Sequence, residues 1–185
     1  GWRIGKLSDV ANITMGQSPD GGSYNEDEDG MVFFQGCTDF GCRFPKTRIY
    51  TNQPSRIAEQ GDVLLSVRAP VGTINIATEQ CCIGRGLAAL HSKCGANSYL
   101  LCLMQSLKPV FDVINGNGTT FGALTKDMLF DINVCVPSSP VLTAFEEITN
   151  KKNECIFNRE MQTRELTKLC DWLLPMLMNG QATVE

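Results

Sequence analysis

The chain has 185 residues, 43% of them apolar, with nine cysteines, one histidine and a formal net charge of −4. This suits one ordinary domain with a real core, or one domain plus an appendage. It argues against a membrane protein, since no apolar run approaches the roughly 20 residues a span needs, and against a general nucleic-acid coat, which would be basic overall.

In chain order, Trp2 to Gly16 holds Leu7, Val10, Ala11 and Ile13, a short amphipathic lead-in to the fold. Gln17 to Gly30 is polar, glycine-rich and acidic, the composition of a loop that either carries function or moves. Met31-Val32-Phe33-Phe34 reads as a strand. Gly36 to Tyr50 interleaves Phe40 and Phe44 with Arg43, Lys46 and Arg48. Such a mix suits nucleic acid if the rings are exposed; burial of both phenylalanines is the plainer expectation. From Phe40 to Lys93 the charge balance turns positive. Arg43, Lys46, Arg48, Arg56, Arg68, Arg85 and Lys93 stand there against Glu59, Asp62 and Glu79.

The next stretch, Gly61 to Leu90, reads as strand, turn, strand, turn, strand. Asp62 to Val67 is a short apolar run that fits a strand buried on both faces. Pro70 stops it, having no backbone donor to extend a ladder. Ile74 to Ala77 returns with alternating faces, and Cys81-Cys82-Ile83 leads through Gly84-Arg85-Gly86 to Leu87–Leu90. Arg68 and Arg85 thus stand at strand ends, on turns stiff enough to aim a guanidinium at a phosphate or a guanine edge. The alternative is an ion pair with Asp62 or Glu79. The cysteines show no CxxC pair, and Cys81, Cys82, Cys102 and Cys135 lie in apolar runs, where a free thiol packs as a small hydrophobe. With no ligand spacing around His91, a metal site is not expected, and a reducing cytoplasm is.

Ala96 to Gln105 has helical spacing, and Leu107 to Ile114 continues after a break. Asn115 to Thr120 reads as a turn whose amides and two hydroxyls, Thr119 and Thr120, suit a phosphate, without the P-loop pattern. Thr125 is placed to cap a short helix through Phe130 that carries Lys126 in its first turn. Ile132, Val134 and Val136 alternate as a last strand. Ser139-Pro140 is a helix start, with Ser139 as cap. Nothing breaks the helix before Pro175, which permits about 35 residues and about 50 Å. Phe145, Ile148, Cys155, Leu166, Leu169 and Leu173 mark an apolar seam, with polar Gln162 in its middle to help set register. A helix of that length is expected to pack against another helix, the alternative being that it folds back on its own domain.

Together these pieces resemble a target recognition domain plus one spacer helix from the specificity subunit of a type I restriction-modification system. The resemblance is carried by GDVLLSVRAPVG at 61–72, CIGRGLA at 82–88, GTTF at 118–121, TKDML at 125–129 and DWLLPMLMNG at 171–180, with LSDV at 7–10 followed by Gly16. It covers nearly the whole chain and is weakest from Gln17 to Asn52, where such domains diverge because different targets are read there.

The resemblance implies an α/β (α+β) architecture: a globular mixed-sheet recognition domain over 1–138, a long spacer helix over 139–178 that pairs as an antiparallel coiled coil, and a tail over 179–185. It implies a non-catalytic cytoplasmic subunit that binds double-stranded DNA at one half of a bipartite target. Methylation and restriction subunits are the implied partners, and S-adenosylmethionine, ATP and Mg are expected in them, not here. A second recognition domain or a homodimer completes the pair of helices. Beginning at Gly1 and ending on the distal motif, the chain is expected to be the C-terminal half of a two-domain subunit, or else a half-subunit that dimerises. The expected DNA contacts are Gln17, Ser18, Arg43, Lys46, Arg48, Arg68, Arg85, Thr119, Thr120 and Lys126, with base reading on the divergent loops. Two competing readings are a helical scaffold whose globule does not touch DNA, and thiol chemistry on Cys37 or Cys42, which lacks a nearby base.

Overall fold

The computed structural model describes residues 1–116 and 123–181. The chain divides into two units, one ending at Glu146 and one beginning at Glu147. The first opens with β1 (Arg3–Lys6), a single helical turn α1 (Leu7–Val10) and β2 (Ala11–Met15). Then come β3 (Tyr24–Asn25), β4 (Met31–Phe34), β5 (Tyr50–Thr51) and β6 (Ile57–Ala58). The middle of the chain forms β7 (Val63–Ser66), β8 (Ile74–Ile76), β9 (Cys81–Ile83) and β10 (Leu87–Ser92). Helices α2 (Asn97–Ser106), α3 (Lys108–Gly116) and α4 (Lys126–Phe130) precede β11 (Asn133–Val136) and the long helix α5 (Ser139–Met178).

The described strands form three sheets. β1 and β11 make an antiparallel ribbon; a four-stranded sheet runs β2-β10-β7-β8, and a five-stranded one β3-β5-β4-β9-β6. All pairings are antiparallel except β4 with β9, which is parallel.

Strand parity explains how the four-stranded sheet becomes the middle of the first unit. Successive side chains point to opposite faces. On β7, Val63 and Leu65 join the core built with α1–α4 and β11, while Leu64 joins a second core with Val32, Phe34 and Ile83 of the five-stranded sheet. On β10, Ala88 and Leu90 face the first core, Leu87 and Ala89 the second. Both strands are therefore apolar on both faces, which is why the sequence run at 62–67 does not alternate. Each fully buried leucine contributes about 1.5–3 kcal/mol.

Local chemistry sets the boundaries. The Thr125 hydroxyl accepts from the Met128 amide at 3.3 Å, capping α4 as its sequence position predicts. At the start of α5 the Ser138 carbonyl accepts from the Leu142 amide at 3.1 Å, so the cap lies one residue earlier than Ser139. Pro140 is still in the first turn, where a missing N–H costs nothing. The helix runs past Pro175 and ends where the Gln181 amide donates to the Met176 carbonyl at 2.9 Å, with Gly180 at φ +68°.

Two sequence expectations are corrected here. Cys102 and Cys135 are exposed, unlike the buried Cys81 and Cys82, because they fall on the outward faces of α2 and β11. Asn115 belongs to the end of α3 and not to a phosphate-holding turn: its side-chain amide accepts from the Val71 amide and donates to the Val71 carbonyl, both at 2.9 Å.

Candidate nucleic-acid interface

The five residues Ile83–Leu87 are a hub to which several strand ends are tied. Phe34 at the end of β4 accepts from Gly84, and Gln35 accepts from Gly86, at 2.8 and 3.2 Å. Gly16 and Gln17, just after β2, donate to Leu87 and Ile83 at 2.9 and 3.0 Å. Val67 after β7 donates to Gly86 at 2.9 Å, and Ile83 donates to Arg56, just before β6, at 2.8 Å. β2 and β7 both run antiparallel to β10, and β4 runs parallel to β9. The carboxyl-terminal ends of β2, β4, β7 and β9 therefore open on one rim.

That rim gathers Gln17, Ser18, Gln35, Ser55, Arg56, Arg68 and Arg85. The Ser18 hydroxyl accepts from Gln35 Nε2 at 3.0 Å and from the Arg85 amide at 3.3 Å. Ser55 donates to the Gln17 carbonyl. Continuing the β7–β10 register past Val67 and Gly86 sets Arg68 and Arg85 at neighbouring positions on adjacent strands. Gln17, Gln35, Arg56, Arg68 and Arg85 are all exposed. Among the described residues no carboxylate lies within ion-pair distance of Arg56, Arg68 or Arg85. Asp62, the partner considered for Arg68, bonds instead to His91 Nδ1 at 2.6 Å. Burial pushes the Asp62 carboxyl above its ordinary 3.8, helped by the Glu59 carboxylate and opposed by the Glu59 amide and His91.

The glycines flanking Arg85 make the close approach possible. A Cβ on Gly84 would lie 2.9 Å from the Gln35 backbone, and one on Gly86 would lie 2.8 Å from the Gln35 carbonyl. Only glycine lets the β9–β10 turn press against the end of β4, and that contact brings Arg85 beside Gln35.

The other predicted residues are placed differently. Arg43 stands at the end of β8, its carbonyl accepting from Ile76 at 2.9 Å and its guanidinium 6.0 Å from the Phe44 ring centre. Arg48 pairs with Asp39 at 3.0 Å, and exposed Lys46 is held through its backbone by the Asp39 carbonyl at 2.8 Å. Phe44 is buried and Phe40 packs on the second core, so neither ring is offered to a base. Lys126 lies two residues past Leu124, which donates to Val67, and its ammonium sits 5.2 Å from the Phe130 ring centre. Thr119 and Thr120 fall outside the described residues.

The acidic 17–30 loop is tied down at several points. Ser23 and Thr51 share a buried hydroxyl–hydroxyl bond of 2.7 Å, and the Tyr24 ring stacks on Phe33 at 4.8 Å. Gln35 and Ser55 are absent from the sequence reading, and Arg56 enters it only through the positive charge balance of the Phe40 to Lys93 stretch. Gln35 carries the signal used for Arg85, a polar residue at the end of an apolar strand beside a glycine.

In the second unit the helix spans Glu147 to Met178, and α5 as a whole contains no buried residue. Ile148, Leu166 and Leu169 are 61%, 61% and 52% exposed, and Cys155 and Gln162 are exposed as well. Phe145 and Leu173 are half-buried.

Residues 1–156 match the family described as the type I restriction modification DNA specificity domain. The chain is 32% identical, over its full length and 44% of the other protein, to a specificity subunit assigned to the type I restriction enzyme MjaX of Methanocaldococcus jannaschii. Among solved structures, it is similar to the HsdS subunit from Thermoanaerobacter tengcongensis, with a TM-score of 0.70, 35% identity, and coverage of 95% of this chain and 44% of that one. A chain from a structure addressing complex assembly and conformational transition of the type I R-M system matches with a TM-score of 0.70 at 36% identity, over 95% of this chain and 45% of that one. The chain thus spans a little under half the length of these relatives.

Proposed function

The chain belongs to the type I restriction modification DNA specificity domain family, and from that premise we propose that it reads one half of a bipartite DNA target through the rim formed by β2, β4, β7 and β9. The observation that carries this reading is the gathering of Arg56, Arg68 and Arg85 on one exposed edge, with no carboxylate partner among the described residues. Guanidinium groups left unneutralised by the protein are free to anchor phosphates, and the carboxamide and hydroxyl groups of Gln17, Ser18 and Gln35 supply the mixed donors and acceptors that base edges need. Arg43, Lys46, Arg48 and Lys126 are assigned to flanking backbone contacts, with Arg48 weakened by its bond to Asp39. The role of Thr119 and Thr120 as phosphate ligands stays part of the proposal on sequence grounds alone.

In this reading the chain contributes recognition and no bond-making chemistry. S-adenosylmethionine, ATP and Mg belong to methylation and restriction partners. α5 acts as the spacer: Phe145, Ile148, Cys155, Gln162, Leu166, Leu169 and Leu173 face a second helix, from another recognition domain or from a second copy, and the pair docks methylation subunits. What supports this is the exposure of Ile148, Leu166 and Leu169, which no soluble helix gains from leaving in water.

The test is binding of the assembled specificity–methylation complex to its target, identified from the methylated sites of the host genome. Arg68→Ala and Arg85→Ala should each weaken binding and lower the salt slope by about one ion. Unchanged affinity and slope for both would overturn the assignment of the rim.

A further inference from the structure

The rim contains two exposed carboxamides, Gln17 and Gln35, and the one whose side chain is held in place, Gln35, lies outside the residues flagged by sequence. We propose that Gln35 is a specificity-determining residue that reads an adenine in the half-site, with Arg85 set beside it as its phosphate or guanine partner; this rests on the rim being the DNA-binding edge.

The argument begins at the backbone. Gln35 follows the last residue of β4, the strand that pairs parallel with β9. Its carbonyl accepts from Gly86, and its neighbour Phe34 accepts from Gly84. Its Cα and carbonyl are in such close contact with Gly84 and Gly86 that neither glycine has room for a Cβ. Gln35 therefore leaves the sheet at a position set by paired strands, and a reading group on a stiff base keeps its geometry.

The side chain is restrained in turn. Its Nε2 bonds to the Ser18 hydroxyl at 3.0 Å, and the same oxygen takes the Arg85 amide at 3.3 Å. Ser18 thus couples the Gln35 carboxamide to the turn that carries Arg85. A carboxamide has two N–H donors and one carbonyl acceptor, so one bond to Ser18 leaves one donor and the acceptor on the exposed side. If the amide is turned over, the Ser18 hydroxyl donates to the oxygen, and an N–H and an oxygen lone pair still remain. A donor and an acceptor side by side match the N7 and N6 groups of adenine in the major groove. Among the other described rim residues the arginines are donors only, and Gln17, although its backbone is tied to Ile83 and Ser55, has no side-chain bond to hold its carboxamide as Ser18 holds that of Gln35.

The experiment uses the assembled specificity–methylation complex on a library of target sites in which each base pair of the half-site is varied in turn, with methylation of each member read by sequencing. Gln35→Ala should lose preference at one A·T pair by about 5- to 150-fold, the range of one bidentate base contact, and leave preference at the other positions in place. Gln35→Glu, which keeps the shape but offers only acceptors, should move the preference at that same position toward C·G. The proposal is overturned if Gln35→Ala keeps the wild-type preference at every position, or if it weakens all sites equally, as a backbone contact would. Arg85→Ala in the same assay separates the two levels. Weakening across all sites with an unchanged Gln35→Ala profile would sink only the base assignment, whereas no effect of either Arg85→Ala or Arg68→Ala would sink the rim itself. Thermal unfolding of Gln35→Glu close to wild type would show that its shift in preference is not a folding defect, and Gln35→Glu that folds and assembles with wild-type preference also refutes the proposal.

Discussion

β7 and α5 are opposite solutions for the same apolar residues. All four residues of β7 are buried, whereas none of the forty in α5 is. Leu64 and Leu65 have no exposure, while Leu166 and Leu169 are more than half exposed. Residue type is identical, so the difference lies in what surrounds it. A central strand has layers on both faces and gains from each leucine about 1.5–3 kcal/mol; no residue of α5 is buried. The first region is stabilised from within the chain, and on the proposal above the second is completed by a partner helix.

Four substitutions sharpen or break this contrast, from the largest expected effect to the smallest. Leu65→Ala, in the strand that faces two cores, should cost about 2–5 kcal/mol in denaturant unfolding. A cost under about 1 kcal/mol would mean that β7 is not the structural centre. Gly84→Ala should cost about 1–3 kcal/mol, because its Cβ meets the Gln35 backbone and something must shift. It should also disturb target preference, since the displaced segment carries Arg85.

Asp62 gives the contrast a pH dependence. Burial raises its carboxyl pKa above the ordinary 3.8, so the folded chain holds the proton more tightly than the unfolded chain. The stabilising contribution is present at acid pH and is lost as pH rises from 3.8 through the raised value. Asp62→Asn can still accept from Glu59 and donate to His91, and it removes this titration. The stability of wild type relative to Asp62→Asn should therefore fall as pH increases through that window; a flat difference in urea titrations would contradict it. Finally, Leu166→Ala should change the stability of the isolated chain by no more than about 0.5 kcal/mol, as expected of an exposed site. If α5 pairs as proposed, the same substitution should weaken assembly measured by analytical ultracentrifugation. A large loss of stability in the chain alone would show that Leu166 is covered within it.

Sequence alone determined much of the local architecture, because the relevant physics is local. The apolar run at 62–67, the β-branched alternation at 132–136, the Thr125 cap and the uninterrupted helical stretch after Ser139 each appear within a residue or two of their expected bounds. Family membership was legible for a similar reason: motifs such as GRG at 84–86 record backbone approaches that only glycine permits. Which polar residues stand together was decided by tertiary structure. Gln35, Ser55 and Arg56 reach the rim through the parallel β4–β9 pairing and the β6–β9 pairing, contacts between segments distant in sequence that no periodicity encodes. Within the 36–50 loop, Arg48 pairs with Asp39 nine residues away, and Phe44 is buried, as the plainer expectation for that ring has it. A loop's composition says what chemistry it offers; the strands that end beside it decide where that chemistry is presented.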